Sequence, residues 1–178
     1  MSSAGRAVVS NADRTLFEEL LGRVGGTVTR FLEELVREPV DARERRHLMT
    51  EAGPTDELCV EKGHPVLQRS AVLQGRSSGC HYVHAESRIV PSRLPPAFCR
   101  DLETTTQPIG RLLVEEGLRF TRRGLSGPEG GTSSGFGPRP ALDEVLSVRR
   151  YRLDVDGTPV MVVSEWFLPT LAPYVSRR

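Results

Sequence analysis

The segment LSVRRYRLDVDGTPVMVVSEWFLP, residues 146–169, constrains the fold more than any other part of the chain. Two runs rich in Val, Tyr, Phe and Trp flank Asp156-Gly157. An Asp-Gly pair between such runs favours a two-residue turn with both central residues at positive φ, and so an antiparallel hairpin. Directly opposed residues share a face, so a turn at 156–157 sets Val155 against Thr158, and simple counting fixes the rest. That register predicts one face of Tyr151, Leu153, Val155, Val160, Val162 and Trp166. The other face carries Val148, Arg150, Arg152, Met161, Val163, Glu165 and Phe167. Glu165 then lies among apolar neighbours with Arg150 diagonally across. An ionised carboxylate in such surroundings costs several kcal/mol or takes up a proton.

A second hairpin is predicted upstream. HPVLQRSAVLQ and CHYVHAESRIV alternate in the strand period and are joined by GRSSG. The alternation places Arg69 between Leu67 and Ala71, with Leu73 beyond, so a second charged residue lies on an apolar face. Around the hairpins the pattern is helical. Asp13 or Thr15 is expected to cap a first helix with Leu16, Leu20 and Val24 on its apolar side, ended by Gly25-Gly26. Thr27 is expected to cap a second, in which Val28, Phe31, Leu32, Leu35 and Val36 follow the i, i+3, i+4, i+7 rule. PSRLPPAFCRDLE and TTTQPIGRLLVEEG read as two short helices with proline near the first turn. The run Arg43, Glu44, Arg45, Arg46 reads as a solvated turn or edge. Residues 124–140, rich in Gly and Ser, read as a variable surface loop or a mobile flap over a site, and residues 1–13 as a flexible start. No βαβ alternation and no GxGxxG or GxxxxGK[ST] phosphate loop occurs. The expected class is α+β: one domain spanning 1–178, a single antiparallel β-sheet flanked by helices.

Composition narrows the function. The net charge of +1 lacks the basic field that nucleic acid or an anionic membrane surface selects. The longest apolar runs fall far below the roughly 20 residues of a spanning helix, and the first residues lack the apolar centre of a signal peptide. The expectation is a cytoplasmic protein with no nucleic-acid and no membrane partner. Cys59, Cys80 and Cys99 form no CxxC pair, and His81 and His84 fall on opposite faces of one strand, so no metal site is expected. No GxSxG elbow is present. The alternation leaves two readings of Arg69 and Glu165 open. One is a buried structural ion pair. The other is an apolar pocket holding one cation and one carboxylate, suited to a small anionic ligand.

The ordered pieces GGTVTRFLE, VLQRSAVL, SRIVP, QPIGRLL, RRYRLDVDGTPVMVVSEWFLP and PY resemble the chorismate pyruvate-lyases, which make 4-hydroxybenzoate. The resemblance covers roughly residues 16–174. It implies a chorismate lyase-like fold, a buried site closed by flaps, no metal, no organic cofactor, and a small-molecule carboxylate substrate. It also implies roles. Arg69 is similar to the arginine that holds the ring carboxylate, and Glu165 to the carboxylate beside the ring hydroxyl. Val28 and Ile109 match apolar pocket positions. Beyond the resemblance, Arg150 or Arg152 is a candidate for the pyruvyl carboxylate, with a surface ion pair as the equal alternative. The chain departs from the family pattern in the length of 124–140 and in His84 and Glu86 of HYVHAES. Two alternatives accompany this reading: a tailoring lyase or cyclase of secondary metabolism acting on another unsaturated carboxylate, and a non-enzymatic ligand-binding domain. The second normally follows a winged-helix DNA reader, for which the expected match leaves no room.

Overall fold

The computed structural model describes residues 9–54, 56–126 and 139–176. Helices α1 (Asn11–Gly22) and α2 (Val28–Val36) lead into strand β1 (Val40–Glu51). Strands β2 (Pro65–Gly75) and β3 (His81–Ile89) form the first hairpin. Helices α3 (Pro96–Thr104) and α4 (Ile109–Glu115) precede strand β4 (Phe120–Gly124). Strands β5 (Ser147–Val155) and β6 (Thr158–Phe167) form the second hairpin, and a short helix α5 (Ala172–Val175) follows. The six strands make one open antiparallel sheet in the order β1-β2-β3-β6-β5-β4. The class is α+β.

Local chemistry explains most of these elements. Thr27 caps α2 as expected, its Oγ1 accepting from the Arg30 N–H at 3.2 Å. The cap of α1 is neither Asp13 nor Thr15 but Ser10, whose Oγ accepts from the Asp13 N–H. Asn11 to Asp13 are therefore helical, while residues 1–8 of the expected flexible start lie outside the described residues. The buried side of α1 is also displaced by one position from the expected Leu16 and Leu20. Phe17 and Leu21 are buried and Leu16 is 38% exposed. Phe17 decides this, because its ring packs between Phe31 and Phe167 with centroids at 6.0 and 5.0 Å.

Both edge strands escape the sequence patterns. The run Arg43–Arg46 lies on β1, which is an edge strand, and the pairing with β2 slips between Arg43 and Arg46, where Glu44 adopts φ 49°. Charges and a bulge on an edge discourage pairing with another chain. The 124–140 loop falls largely on residues 127–138, outside those described.

The second hairpin turns at Asp156-Gly157 as expected, with φ 48° and 81°, and Val155 pairs with Thr158. The register then slips. Asp154 pairs with Pro159, but Leu153 pairs with Met161, so Val160 is an extra residue on β6. Proline has no N–H to give the ladder and is found in sheets at edges and bulges. The Val160 carbonyl instead accepts from the Val90 N–H at 2.9 Å, and the Pro159 carbonyl from Arg93 at 2.7 Å. A one-residue slip exchanges faces. Beyond the bulge Tyr151, not Arg150, shares a face with Val163, and Arg149 stands directly opposite Glu165.

The helices cover one face of the sheet in two apolar clusters. Phe17, Leu32, Leu35, Leu73, Val83, Phe167 and Val175 belong to one, formed with α1, α2 and α5. Leu67, Ile89, Phe98, Leu112, Leu153, Met161 and Val163 belong to the other, formed with α3 and α4. Each such fully buried aliphatic or aromatic side chain contributes about 1.5–3 kcal/mol. The opposite face is covered in part by Ala52 and Leu58 packed on Val66 and Val162.

Candidate functional site

Two cross-strand rows run between the apolar clusters on the helix-covered face. The first is Ala71, Ala85, Glu165 and Arg149 across β2, β3, β6 and β5. The second, two residues along, is Arg69, Ser87, Val163 and Tyr151. His47 of β1 extends the second row beyond Arg69. Beside Arg69 on β2, and on β3, these rows carry small side chains, Ala71, Ala85 and Ser87. They form a low floor between Arg69 and Glu165, whose Cα atoms are about 12 Å apart by strand spacing and rise.

Arg69 is 3% exposed and makes no ion pair or hydrogen bond among the described residues, and its Nε and Nη2 are buried without a partner. Burial, and then the nearby Arg45 charge, lower its pKa to about 10. It remains a cation at neutral pH. A buried cation without a counter-charge is costly, and no ion pair within the sheet among the described residues offsets that cost at Arg69.

Glu165 is 5% exposed. Its Oε1 accepts a hydrogen bond from the Tyr151 hydroxyl at 3.0 Å, and its Oε2 is buried without a partner. Burial raises its pKa to about 7, against the lowering effects of the Tyr151 hydrogen bond and of the Arg122 and Arg149 charges. Burial also pushes the Tyr151 hydroxyl well above its ordinary value, so that it stays protonated and donates. When Glu165 is neutral, Oε1 is occupied as an acceptor, so the carboxyl proton belongs on Oε2, the oxygen that is free to give it away.

Two further arginines frame this carboxyl. The guanidinium carbons of Arg149 and Arg122 both lie 5.2 Å from the Tyr151 ring centre, within cation–π range. Arg122 also donates to the Gly26 carbonyl at 2.7 Å, tying β4 to the turn before α2. Other buried polar atoms lacking a partner among the described residues include Ser87 Oγ, His47 Nε2 and Gln107 Oε1. Burial, then the Arg69 and Arg45 charges, lower the His47 pKa, which keeps that ring neutral. Buried polar groups in native proteins are mostly hydrogen-bonded. Five of the residues with unpartnered atoms, Arg69, Ser87, Glu165, Arg149 and His47, lie on the helix-covered face, while His84 Nε2, equally unpartnered, lies on the opposite one.

The residues singled out in the sequence fall as follows. Arg69 and Glu165 share the face and the floor. They do not pair with each other, so the structural ion pair is not what they form. Val28, buried, begins α2 within one cluster, and Ile109 begins α4 against the other. These two helix starts approach closely because residue 110 is glycine: a Cβ there would lie 2.8 Å from Thr27 Cβ and 3.0 Å from Thr29 Oγ1. Arg150 is on the other face of the sheet, ion-paired to Glu57 through Nη1–Oε1 at 2.8 Å and a second contact from Nη2. Arg152, on that same face, pairs with Asp154 at 2.7 Å. The bulge at Val160 separates both from Glu165. Arg149, Tyr151 and Ser87 did not stand out in the sequence. Pro159, two residues past the turn, was the available sign that counting would fail there. His84 lies on the opposite face beside Trp166, and Glu86 on that face is bound by Arg139.

Among the described residues no group of three or more His, Cys, Asp or Glu side chains could hold a metal ion. No described helix is long and apolar enough to cross a membrane.

A family model described as "Chorismate pyruvate-lyase Rv2949c-like" matches residues 21–175. A protein of Mycobacterium leprae (strain TN) named chorismate pyruvate-lyase is 29% identical over 171 residues, covering 92% of this chain and 78% of the relative. One of the same name from Mycobacterium tuberculosis (strain CDC 1551 / Oshkosh) is 34% identical over 106 residues, 58% of this chain and 53% of the relative. Among solved structures, PhnF from Mycobacterium smegmatis aligns with a TM-score of 0.46 at 15% identity, covering 83% of this chain and 66% of that one.

Proposed function

Since the chain belongs to the Rv2949c-like chorismate pyruvate-lyase family, we propose that it eliminates pyruvate from chorismate to give 4-hydroxybenzoate, acting in the cytoplasm. The observation that carries this reading is the pairing on one face of a buried, uncompensated arginine with a buried carboxyl that can be neutral near pH 7.

The reaction breaks the C3–O bond of the enolpyruvyl ether and removes the proton on C4. The ring becomes aromatic, which supplies the driving force, and the C4 hydroxyl becomes the phenol. Arg69 grips the ring carboxylate through a charged, bidentate hydrogen bond and so sets the ring over the alanine floor. Neutral Glu165 delivers its Oε2 proton to the departing ether oxygen, and the proton lost from C4 restores the balance. Enolpyruvate then tautomerises to pyruvate. Tyr151 holds Oε1 throughout, which fixes the direction in which the carboxyl can donate. Val28 and Ile109 line the approach from α2 and α4 and limit water at the reacting carbons.

The test is incubation of purified protein with chorismate, followed by chromatography for 4-hydroxybenzoate and an assay for pyruvate, with chelator in a parallel sample. One pyruvate per 4-hydroxybenzoate, unaffected by chelator, is expected. Tight binding of 4-hydroxybenzoate without pyruvate above the spontaneous rate would favour a ligand-binding domain. Pyruvate formed only from another unsaturated carboxylate would favour a tailoring lyase.

A further inference from the structure

The floor between the clusters carries more positive charge than one carboxylate needs. Arg69 faces it from β2, while Arg149 and Arg122 face it from β5 and β4. Arg149 stands directly across from Glu165, yet no ion pair joins them. Its Nη1 is buried without a hydrogen-bond partner, and Arg122 Nε is in the same condition. The cation–π contact with Tyr151 accounts for where their guanidinium carbons lie but leaves these nitrogens without a hydrogen bond. With Glu165 neutral, three cations border a site that holds no compensating anion among the described residues.

We propose that Arg149, flanked by Arg122, is a second carboxylate seat that receives the enolpyruvyl carboxylate of a dianionic substrate, while Arg69 receives the ring carboxylate. This rests on the lyase reading and extends it to the specificity of the site. By strand spacing the Cα atoms of Arg69 and Arg149 are about 16 Å apart, and Glu165 lies between their strands. Two arginines at opposite ends of the same floor suit a ring with carboxylates at two edges. The ether oxygen that joins the ring to the pyruvyl carbon is then held beside Glu165 Oε2. The same arrangement explains product release: 4-hydroxybenzoate keeps only the ring carboxylate, and pyruvate leaves with the other.

The experiment compares Arg149→Met and Arg149→Lys with the parent chain on two ligands. Loss of a hydrogen bond to a charged group is worth about 1.5–3 kcal/mol, which is about 10- to 100-fold in binding. Arg149→Met is therefore expected to raise KM for chorismate about 10- to 100-fold, with Arg149→Lys in between. Both variants are expected to bind 4-hydroxybenzoate, the monocarboxylate, within twofold of the parent by calorimetry. Calorimetry on the lysine variant keeps the test open if the methionine variant does not fold. An unchanged KM for chorismate, or an equal loss of affinity for chorismate and 4-hydroxybenzoate, overturns the second seat and leaves the lyase reading standing. Absence of chorismate turnover in the parent chain removes both.

Discussion

Replacing Glu165 by Gln separates a carboxyl kept for chemistry from one kept for structure, because the two roles have opposite signs in stability. Glu165 has its pKa raised by burial from 4.5 to about 7. The folded state therefore binds this proton more tightly than the unfolded chain does. Its favourable contribution is fully present below about pH 4.5, is lost progressively as pH rises, and levels off above about 7. At about 1.4 kcal/mol per pKa unit, the ionised carboxylate costs the folded protein about 3 kcal/mol at pH 8. Glutamine keeps an oxygen to accept from Tyr151 and removes the ionisation. Relative to the parent, Glu165→Gln should gain about 2.5 kcal/mol of stability between pH 5 and pH 8. For a chain of this length that corresponds to a relative rise in Tm of about 5–10 °C. Thermal unfolding of both proteins at the two pH values reads this directly, since every other titrating group cancels in the difference. A variant equally destabilised at pH 5 and pH 8, or more so at pH 8, would show instead that the charged carboxylate supports the fold.

Further outcomes follow from the same geometry. Arg69→Ala should weaken binding of 4-hydroxybenzoate by about 1.5–3 kcal/mol while its Tm holds or rises, because a buried unpaired cation is removed; calorimetry and a melting curve check both. Tyr151→Phe removes a hydrogen bond that lowers the Glu165 pKa, so the fall of kcat/KM with rising pH, expected near 7 in the parent, should move to higher pH. Arg150→Ala breaks a pair with Glu57 on the other face and should leave KM for chorismate unchanged; a large rise would return that residue to the site. Gly110→Ala forces α4 away from Thr27 and Thr29 and should cost about 1–3 kcal/mol by overpacking, seen as a lower Tm.

The hairpins and the amphipathic α2 were legible because each satisfies its own period and is bounded by its own turn or cap. β1 and β4 were not. DARERRH and FTRRG are edge segments whose exposed sides are charged, and protection of an edge erases the apolar alternation that announces a strand. Glu165 and Arg69 stood out because alternation within a single strand survives any error of pairing. Their neighbours did not, because pairing between β5 and β6 depends on one residue. Val160 bulges where Pro159 cannot serve the ladder, and that shift exchanges Arg150 for Arg149 and brings Tyr151 onto Glu165. The place of Ser87 depends on what lies opposite it in the folded sheet, which no local pattern carries.

In the proposed reaction Glu165, held neutral by its surroundings and directed by Tyr151, gives the proton that releases pyruvate. The most direct measurement is the turnover of chorismate by the parent chain and by Glu165→Gln at pH 6.5, on preparations shown to be folded, with 4-hydroxybenzoate and pyruvate quantified together. Loss of a general acid predicts a fall in kcat of about 10²–10⁴, with affinity for 4-hydroxybenzoate largely kept through Arg69. A folded glutamine variant that turns over chorismate at the parent rate would contradict the account.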